Sequence, residues 1–215
     1  MTFTEHAWES TREIRMAIDN HPFVVGLGQG TLDADRFGYY MAQDALYLAD
    51  YARSLAQCGS QATDADEVLF WTTSAVGAIS VERELHAGFV ADFAAVPRSP
   101  TCMAYTSYLS ALGGGGSYPV LSAGLLPCFW IYLDVGSRLL TQAGNLDEHP
   151  YGKWIATYAD PAFAESTRRA REIVDRSADR VSDAEQARML DAFLTCSRYE
   201  SMFWDAAWRM EAWPV

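Results

Sequence analysis

An all-α fold is what three features of the 215-residue chain predict. Apolar residues recur at spacings of three and four, period-two alternation is nearly absent, and proline or glycine marks where the periodic stretches stop. A first helix covers about 4 to 18 and ends at Asn20-His21-Pro22. HPFVVGLGQGTL follows as a glycine-rich connection. Its Gly26-Leu27-Gly28-Gln29-Gly30 run reads as a turn and not a phosphate loop, since no strand precedes it and the spacing is not G-x-G-x-x-G. A second helix opens with Asp33 as N-cap and runs to about Cys58. A third covers about 64 to 95 and stops before Pro97, and a fourth covers about 101 to 111 and stops in a flexible joint at Gly113 to Gly116. A fifth spans about 119 to 143, interrupted by Pro127. Short helices at about 151 to 159 and 161 to 178 precede a long last one, about 183 to 211, capped by Ser182 or Asp183. The total is about seven or eight helices.

This length suits a single domain, 1–215, with a full hydrophobic core that needs neither disulfides nor a structural metal. With 50% hydrophobic and 20% charged residues the composition excludes a disordered chain, and no uninterrupted run of 18 apolar residues is present to span a bilayer. MTFTEHAWEST carries acids and no basic apolar leader, so a cytoplasmic location without a signal peptide is expected. Sixteen basic residues stand against 28 acidic ones, net −12, and the basic ones are scattered or interleaved with acids, as in RRAREIVDR. A nucleic-acid groove needs clustered Lys and Arg, so no nucleic-acid partner is expected, and no membrane partner either.

The informative residues are polar ones that break an apolar seam. On the second helix, Phe37, Met41, Asp44, Leu48, Tyr51 and Leu55 form a stripe with a carboxylate at its centre, so Asp44 points inward. On the last helix, Phe193, Cys196, Glu200, Phe203, Ala207 and Met210 do the same for Glu200. A lone buried carboxylate costs several kcal/mol unless it is paired, hydrogen-bonded or neutral. Catalysis is one reason to keep two; satisfaction by a buried Tyr or Arg that fixes helix register is the other. The fifth helix places Leu121, Leu125, Cys128, Tyr132, Val135 and Leu139 on one face, with Cys128 directly after Pro127, where a kink could expose the thiol. Spacing alone does not separate Cys128 from Cys58, Cys102 or Cys196, each expected to be a reduced thiol. Its company does: Tyr132 lies one turn away, Tyr47 and Tyr51 flank Asp44, Tyr105 sits inward on the fourth helix, and Phe203 is one turn from Glu200. Such aromatics suit a flat heteroaromatic ligand, or they simply fill a helical core. Glu82 and His86 are one turn apart but lack the paired Glu-x-x-His spacing of a ferritin-like site, so they read as a structural pair and no metal is expected.

HPFVVGLGQGTLDADRFGYYMAQDALYLADYA, VERELHAGF, PTCMAYTSYL, LLPCFWIYLDVG, HPYGKWIATYAD and CSRYESMFWDAAWRMEAW, in this order over 21 to 213, resemble the TenA family of thiaminase II enzymes, or aminopyrimidine aminohydrolases, in its cysteine-containing branch. LPCFWIY and YESMFW with QDALYL upstream are the specific combination. The resemblance implies a haem-oxygenase-type helical fold, a homotetramer, no cofactor, and hydrolysis of the aminomethyl or thiazolium-methyl substituent of a 4-amino-2-methylpyrimidine, so that the partner is an aminopyrimidine or thiamin. Carried over by motif, it implies Cys128 as nucleophile, Glu200 as catalytic acid, Asp44 as inward aspartate, Tyr47, Tyr105, Tyr132 and Tyr158 as pocket tyrosines and Phe203 as stacking ring. Tyr158 rests on the resemblance alone. GGGGSYPVLSAG departs from the acidic, Ala- and Leu-rich turn usual in the family, which bears on the start of the fifth helix and on access to Cys128.

The chemistry implied is addition of a thiolate to an electron-poor pyrimidine, expulsion of the amine and hydrolysis, with Glu200 moving protons. Burial should raise the carboxyl pKa values while a neighbouring base lowers that of the thiol. The competing readings are a non-catalytic binder of a pyrimidine, haem or other flat ligand on the same fold, a regulator of transcription, and a purely structural oligomer.

Overall fold

The computed structural model describes residues 1–86 and 97–215, and for 81–86 the helix without its side chains. Every regular element among the described residues is an α-helix, so the predicted class holds. The first predicted helix is two, α1 (Phe3–Ser10) and α2 (Arg12–Asp19). The chain breaks at Thr11, whose hydroxyl and amide both turn back onto the Trp8 carbonyl. The supposed connection after Pro22 is a helix as well, α3 (Pro22–Gln29). His21 caps it by accepting the Phe23 amide, Pro22 occupies its first turn, and Gly30 ends it in the left-handed region at φ 70°. Proline at the start and glycine at the end are helix punctuation, and burial of Phe23, Val24 and Leu27 outweighs the low propensity of the internal glycines.

The long rods follow as expected, with shifted ends. They are α4 (Ala34–Gln61), α5 (Ala65–His86), α6 (Pro100–Gly114), α7 (Tyr118–Gln142), α8 (Gly152–Tyr158), α9 (Pro161–Ala178) and α10 (Asp183–Arg209). The side chains of Glu82 and His86, and the predicted stretch of the third helix beyond His86, lie outside the described residues. Asp33 caps α4 through the Asp35 and Arg36 amides, and Ser182, of the two candidates, caps α10. Met210, placed in the inward seam of α10, is instead the left-handed residue that ends it, at φ 49° and 46% exposed. The joint between α6 and α7 shrinks to three residues, with Ser117 capping α7 through the Val120 amide.

α7 is the central rod, packed against α10, α9, α8, α6, α4 and α3, while α4 pairs along α5. It runs on through Pro127 without interruption. Its mean hydropathy of 1.4 and its length would let it cross a bilayer, yet 78% of that window is buried inside the protein, the state of a core helix. Two close approaches set its depth. A Cβ on Gly124 would fall 2.5 Å from Leu112, and one on Gly136 would fall 2.7 Å from the backbone carbon of Tyr158. α8 therefore lies on α7 through the missing side chain of Gly136, and that contact places Tyr158.

A second carboxylate network, missed by the sequence reading, ties α5 to α7 and α9. Glu67, 4% exposed, accepts from Tyr118 at 2.5 Å and from Arg176 at 3.0 Å, and the Trp71 indole donates to Tyr118 at 2.9 Å. The α5 face Glu67, Phe70, Trp71, Ala75 carried the same seam-breaking signal as α4 and α10.

Gly136→Ala is expected to lower stability by about 1 to 3 kcal/mol in urea denaturation, as overpacking does. Gly114→Ala, where a Cβ meets open space, is expected to leave the midpoint unchanged or raise it. Equal midpoints for the two variants would contradict the tight α7–α8 contact.

Candidate active site

A cavity of about 570 Å³ opens among α4, α5, α7, α8 and α9. Of the eight residues singled out from the sequence, Asp44, Cys128, Tyr132 and Tyr158 line it. The other four, Tyr47, Tyr105, Glu200 and Phe203, are buried at 1 to 4% exposure and form a layer behind that wall. The layers are joined ring to ring. Tyr47 stacks on the lining Tyr51 at 5.4 Å and packs against Tyr105 at 4.9 Å and Phe203 at 5.7 Å. Tyr105 in turn donates to Glu200 Oε1 at 2.7 Å. Phe203 meets Tyr40 edge-on and Tyr47 at a tilt, so its ring packs within the protein and not on the cavity.

Cys128 is the one cysteine of the four that is only half-buried; Cys58, Cys102 and Cys196 are buried. Access thus supplies the distinction that helical spacing did not. The glycine-rich joint at 113–116 contributes nothing to the cavity wall, which removes the concern over access to the thiol.

Burial pushes the Glu200 carboxyl up to about 8, with the Tyr105 hydrogen bond acting downward and the Asp44 charge upward. The expected upward shift is present, and at neutral pH Glu200 therefore carries a proton. The expectation for the thiol fails. Cys128 lies well above the usual thiol value, first because of burial and then because of the Glu200 carboxylate, with Asp44 adding to it; only the hydroxyls of Tyr47 and Tyr51 pull the other way. The neighbours are acids and phenols, so no base or cation lowers it. The phenols of Tyr47, Tyr51, Tyr105, Tyr132 and Tyr158 are raised well above 10 by burial, which makes them lasting hydrogen-bond donors and not bases.

Several lining residues escaped the sequence reading. Phe70, Phe129 and Phe163 make an aromatic wall, with Phe129 6.2 Å from Phe70 and 6.3 Å from Phe163, both stacked. Phe129 follows Cys128 directly and was passed over because it falls off the chosen seam. Asp160, Glu165 and Arg169 stand on the outer part. Behind Tyr132, the Trp154 indole donates to Tyr40 at 3.3 Å and Tyr40 donates to Tyr132 at 3.2 Å. Tyr40 is one turn before Asp44 on the same face, so the signal for it was present. Among the described residues no three His, Cys, Asp or Glu side chains gather as metal ligands would.

The TENA/THI-4/PQQC family matches residues 8–210. The chain is 34% identical to an aminopyrimidine aminohydrolase from Halalkalibacterium halodurans, covering 99% of this chain and 98% of that one. It is 36% identical to the thiamine biosynthesis multifunctional protein ThiED of Corynebacterium glutamicum, where it covers 96% of itself but spans only 27% of the relative's length. Among solved structures it resembles a TenA homologue from P. horikoshii OT3, at 26% identity with TM-score 0.86 over 97% of this chain and 99% of that one. A domain with a haem-oxygenase-like fold from Shewanella denitrificans, 15% identical with TM-score 0.75 over 98% of this chain and 93% of that one, shares the fold.

The raised Glu200 value has a sign for stability. With the folded carboxyl near 8 and the unfolded one at 4.5, the folded chain keeps a proton that the unfolded chain releases. Its contribution is intact below about 4.5 and is lost as pH rises through about 8. Glu200→Gln is neutral throughout and removes this dependence. Urea denaturation between about pH 5 and 8 is expected to show the variant gaining on the native chain as pH rises, on the order of a few kcal/mol. A constant difference would contradict the shifted carboxyl.

Proposed function

The chain belongs to the TENA/THI-4/PQQC family, and on that footing we propose that it hydrolyses the aminomethyl or thiazolium-methyl substituent of 4-amino-2-methylpyrimidines to the hydroxymethyl product, by cysteine nucleophilic catalysis. The observation that carries this reading is the pairing of the one accessible thiol, Cys128, with a buried carboxyl held protonated near 8, Glu200, beside an aromatic cavity. The relatives named aminopyrimidine aminohydrolase support the substrate class.

The sulfur of Cys128 adds to a ring carbon of the pyrimidine while the thiol proton passes, by way of Asp44, to a ring nitrogen. That coupling lets a thiol of raised pKa react, because the charge appears on neither group. The bond from the exocyclic methylene to nitrogen then breaks, its electron pair leaving with the amine, which takes the Glu200 proton. Water adds to the methylene, gives its proton back to Glu200, and the sulfur departs as the ring nitrogen is deprotonated. Phe129 and Phe163 offer the ring flat faces, and the phenols of Tyr132 and Tyr158 offer donors to its edge. On the outer part Asp160 and Glu165 outnumber Arg169, which favours a cationic leaving group, an ammonium or a thiazolium. A homotetramer, the assembly the resemblance implies, belongs to the same proposal; the exposed Leu69, Val76 and Ile79 on α5 are apolar area for it to bury.

Release of product from aminomethylpyrimidine and from thiamin, measured side by side, tests the reading. Cys128→Ser is expected to abolish turnover of both, and Glu200→Gln to slow it by roughly 10²- to 10⁴-fold with the fold intact. Unchanged kcat in either variant would remove the role assigned to that residue.

A further inference from the structure

A second cavity, of about 460 Å³, opens between α4 and α6, on another side of α4 from the first. Two helices that face each other usually do so with apolar residues. Here the α4 face reads Asp50, Arg53, Ser54 and Gln57 at spacings of three and four, and α6 answers with Ser107 and Ser110. Arg98, from the segment before α6, closes the ring of charges. Such a face is poor packing and a good set of donors.

The charges do not cancel. Asp50 takes Arg53 on one oxygen at 2.5 Å and Arg98 on the other at 2.6 Å, so two guanidinium groups share a single carboxylate. One positive charge is left over. Each guanidinium has five N–H donors, and beyond Asp50 only Arg53 has a further acceptor, the Ala49 carbonyl at 3.1 Å. The hydroxyls of Ser54, Ser107 and Ser110 and the side-chain amide of Gln57 line the cavity with no hydrogen bond of their own. Ser54 is 5% exposed, which makes an unused hydroxyl there a cost unless something comes to meet it.

We propose that this groove binds a phosphate group, free or as the head of a small phosphomonoester, on Arg53 and Arg98 with the serine hydroxyls as further donors. A carboxylate has two oxygens to offer, whereas a phosphate head has three, which suits the larger donor set. The cavity lies in the size range of small-molecule sites, so it has room for a body beyond the phosphate. The chain as a whole carries a net charge of −12 and repels an anion at a distance, so the affinity has to arise from these contacts and not from steering. The site goes beyond the catalytic reading and does not depend on it.

Phosphorus NMR of inorganic phosphate and of glycerol 2-phosphate, titrated against the full-length chain at about 0.15 M chloride, tests the proposal. Saturable binding is expected. Equal affinities for the two probes assign the site to free phosphate, and tighter binding of glycerol 2-phosphate assigns it to a phosphomonoester. Arg98→Gln is expected to weaken binding roughly 10-fold, and Asp50→Asn, which removes the competing carboxylate, to tighten it by roughly as much. Should Arg98→Gln not fold, Arg53→Gln, on a side chain 75% exposed, carries the same expectation. Arg169→Gln, in the first cavity, is expected to bind as the native chain does. No saturable response to either probe, native affinity in both Arg53→Gln and Arg98→Gln, weaker binding in Asp50→Asn, or loss of binding in Arg169→Gln would overturn the proposal. Turnover plays no part in these readouts, so their failure is separate from failure of the catalytic reading, which Cys128→Ser kinetics decide.

Discussion

At 1% exposure and ringed by phenols, the carboxyl of Glu200 has lost nearly all its hydration and has in return one short hydrogen bond, from Tyr105 at 2.7 Å. No arginine or lysine is among the groups that shift it, so the protein meets the cost of burial by leaving the acid neutral, near 8. The rest of the site follows from that choice. A neutral acid can sit near Asp44 and the Cys128 sulfur without placing its own charge in that apolar space. The phenols around it, protonated by the same burial, give a closed set of donors. The aromatic layer of Tyr47, Tyr105 and Phe203 is what keeps water from reaching the carboxyl and restoring its ordinary value.

The scaffold delivers these groups from separate rods. Asp44 and Tyr47 come from α4, Tyr105 from α6, Cys128 and Tyr132 from α7, Tyr158 from α8 and Glu200 from α10. α7 makes the convergence possible because it is thin where neighbours must come close, at Gly124 against Leu112 and at Gly136 against the Tyr158 backbone. Glycine lowers helix propensity at both places, a local cost of about 1 kcal/mol each that packing offsets. The position of the Cys128 thiol and the position of the pocket wall thus depend on the same rod.

Much of this was legible in residue spacing. Asp44 and Glu200 were found because a carboxylate in a three-four stripe has no bland place to go, and both are 1% exposed. Cys128 was not separable from three other thiols by spacing, since burial of a small sulfur looks alike in sequence whether or not a cavity lies beside it. Phe203 and Glu200 were placed on the right face but one layer too near the cavity, because periodicity gives direction and not depth. α3 was missed because three glycines masked a cap, a first-turn proline and a left-handed stop that together spell a helix. The thiol's direction of shift was misjudged for want of knowing that its neighbours were acids and phenols.

Infrared difference spectroscopy between the native chain and Glu200→Gln, followed with pH, reads the state of that carboxyl directly. A protonated-carboxyl carbonyl band present at neutral pH, absent from the variant, and converting to carboxylate as pH passes about 8 is the result this account predicts. A Glu200 carboxylate band already complete at about pH 6, near an ordinary acid's behaviour, would contradict it.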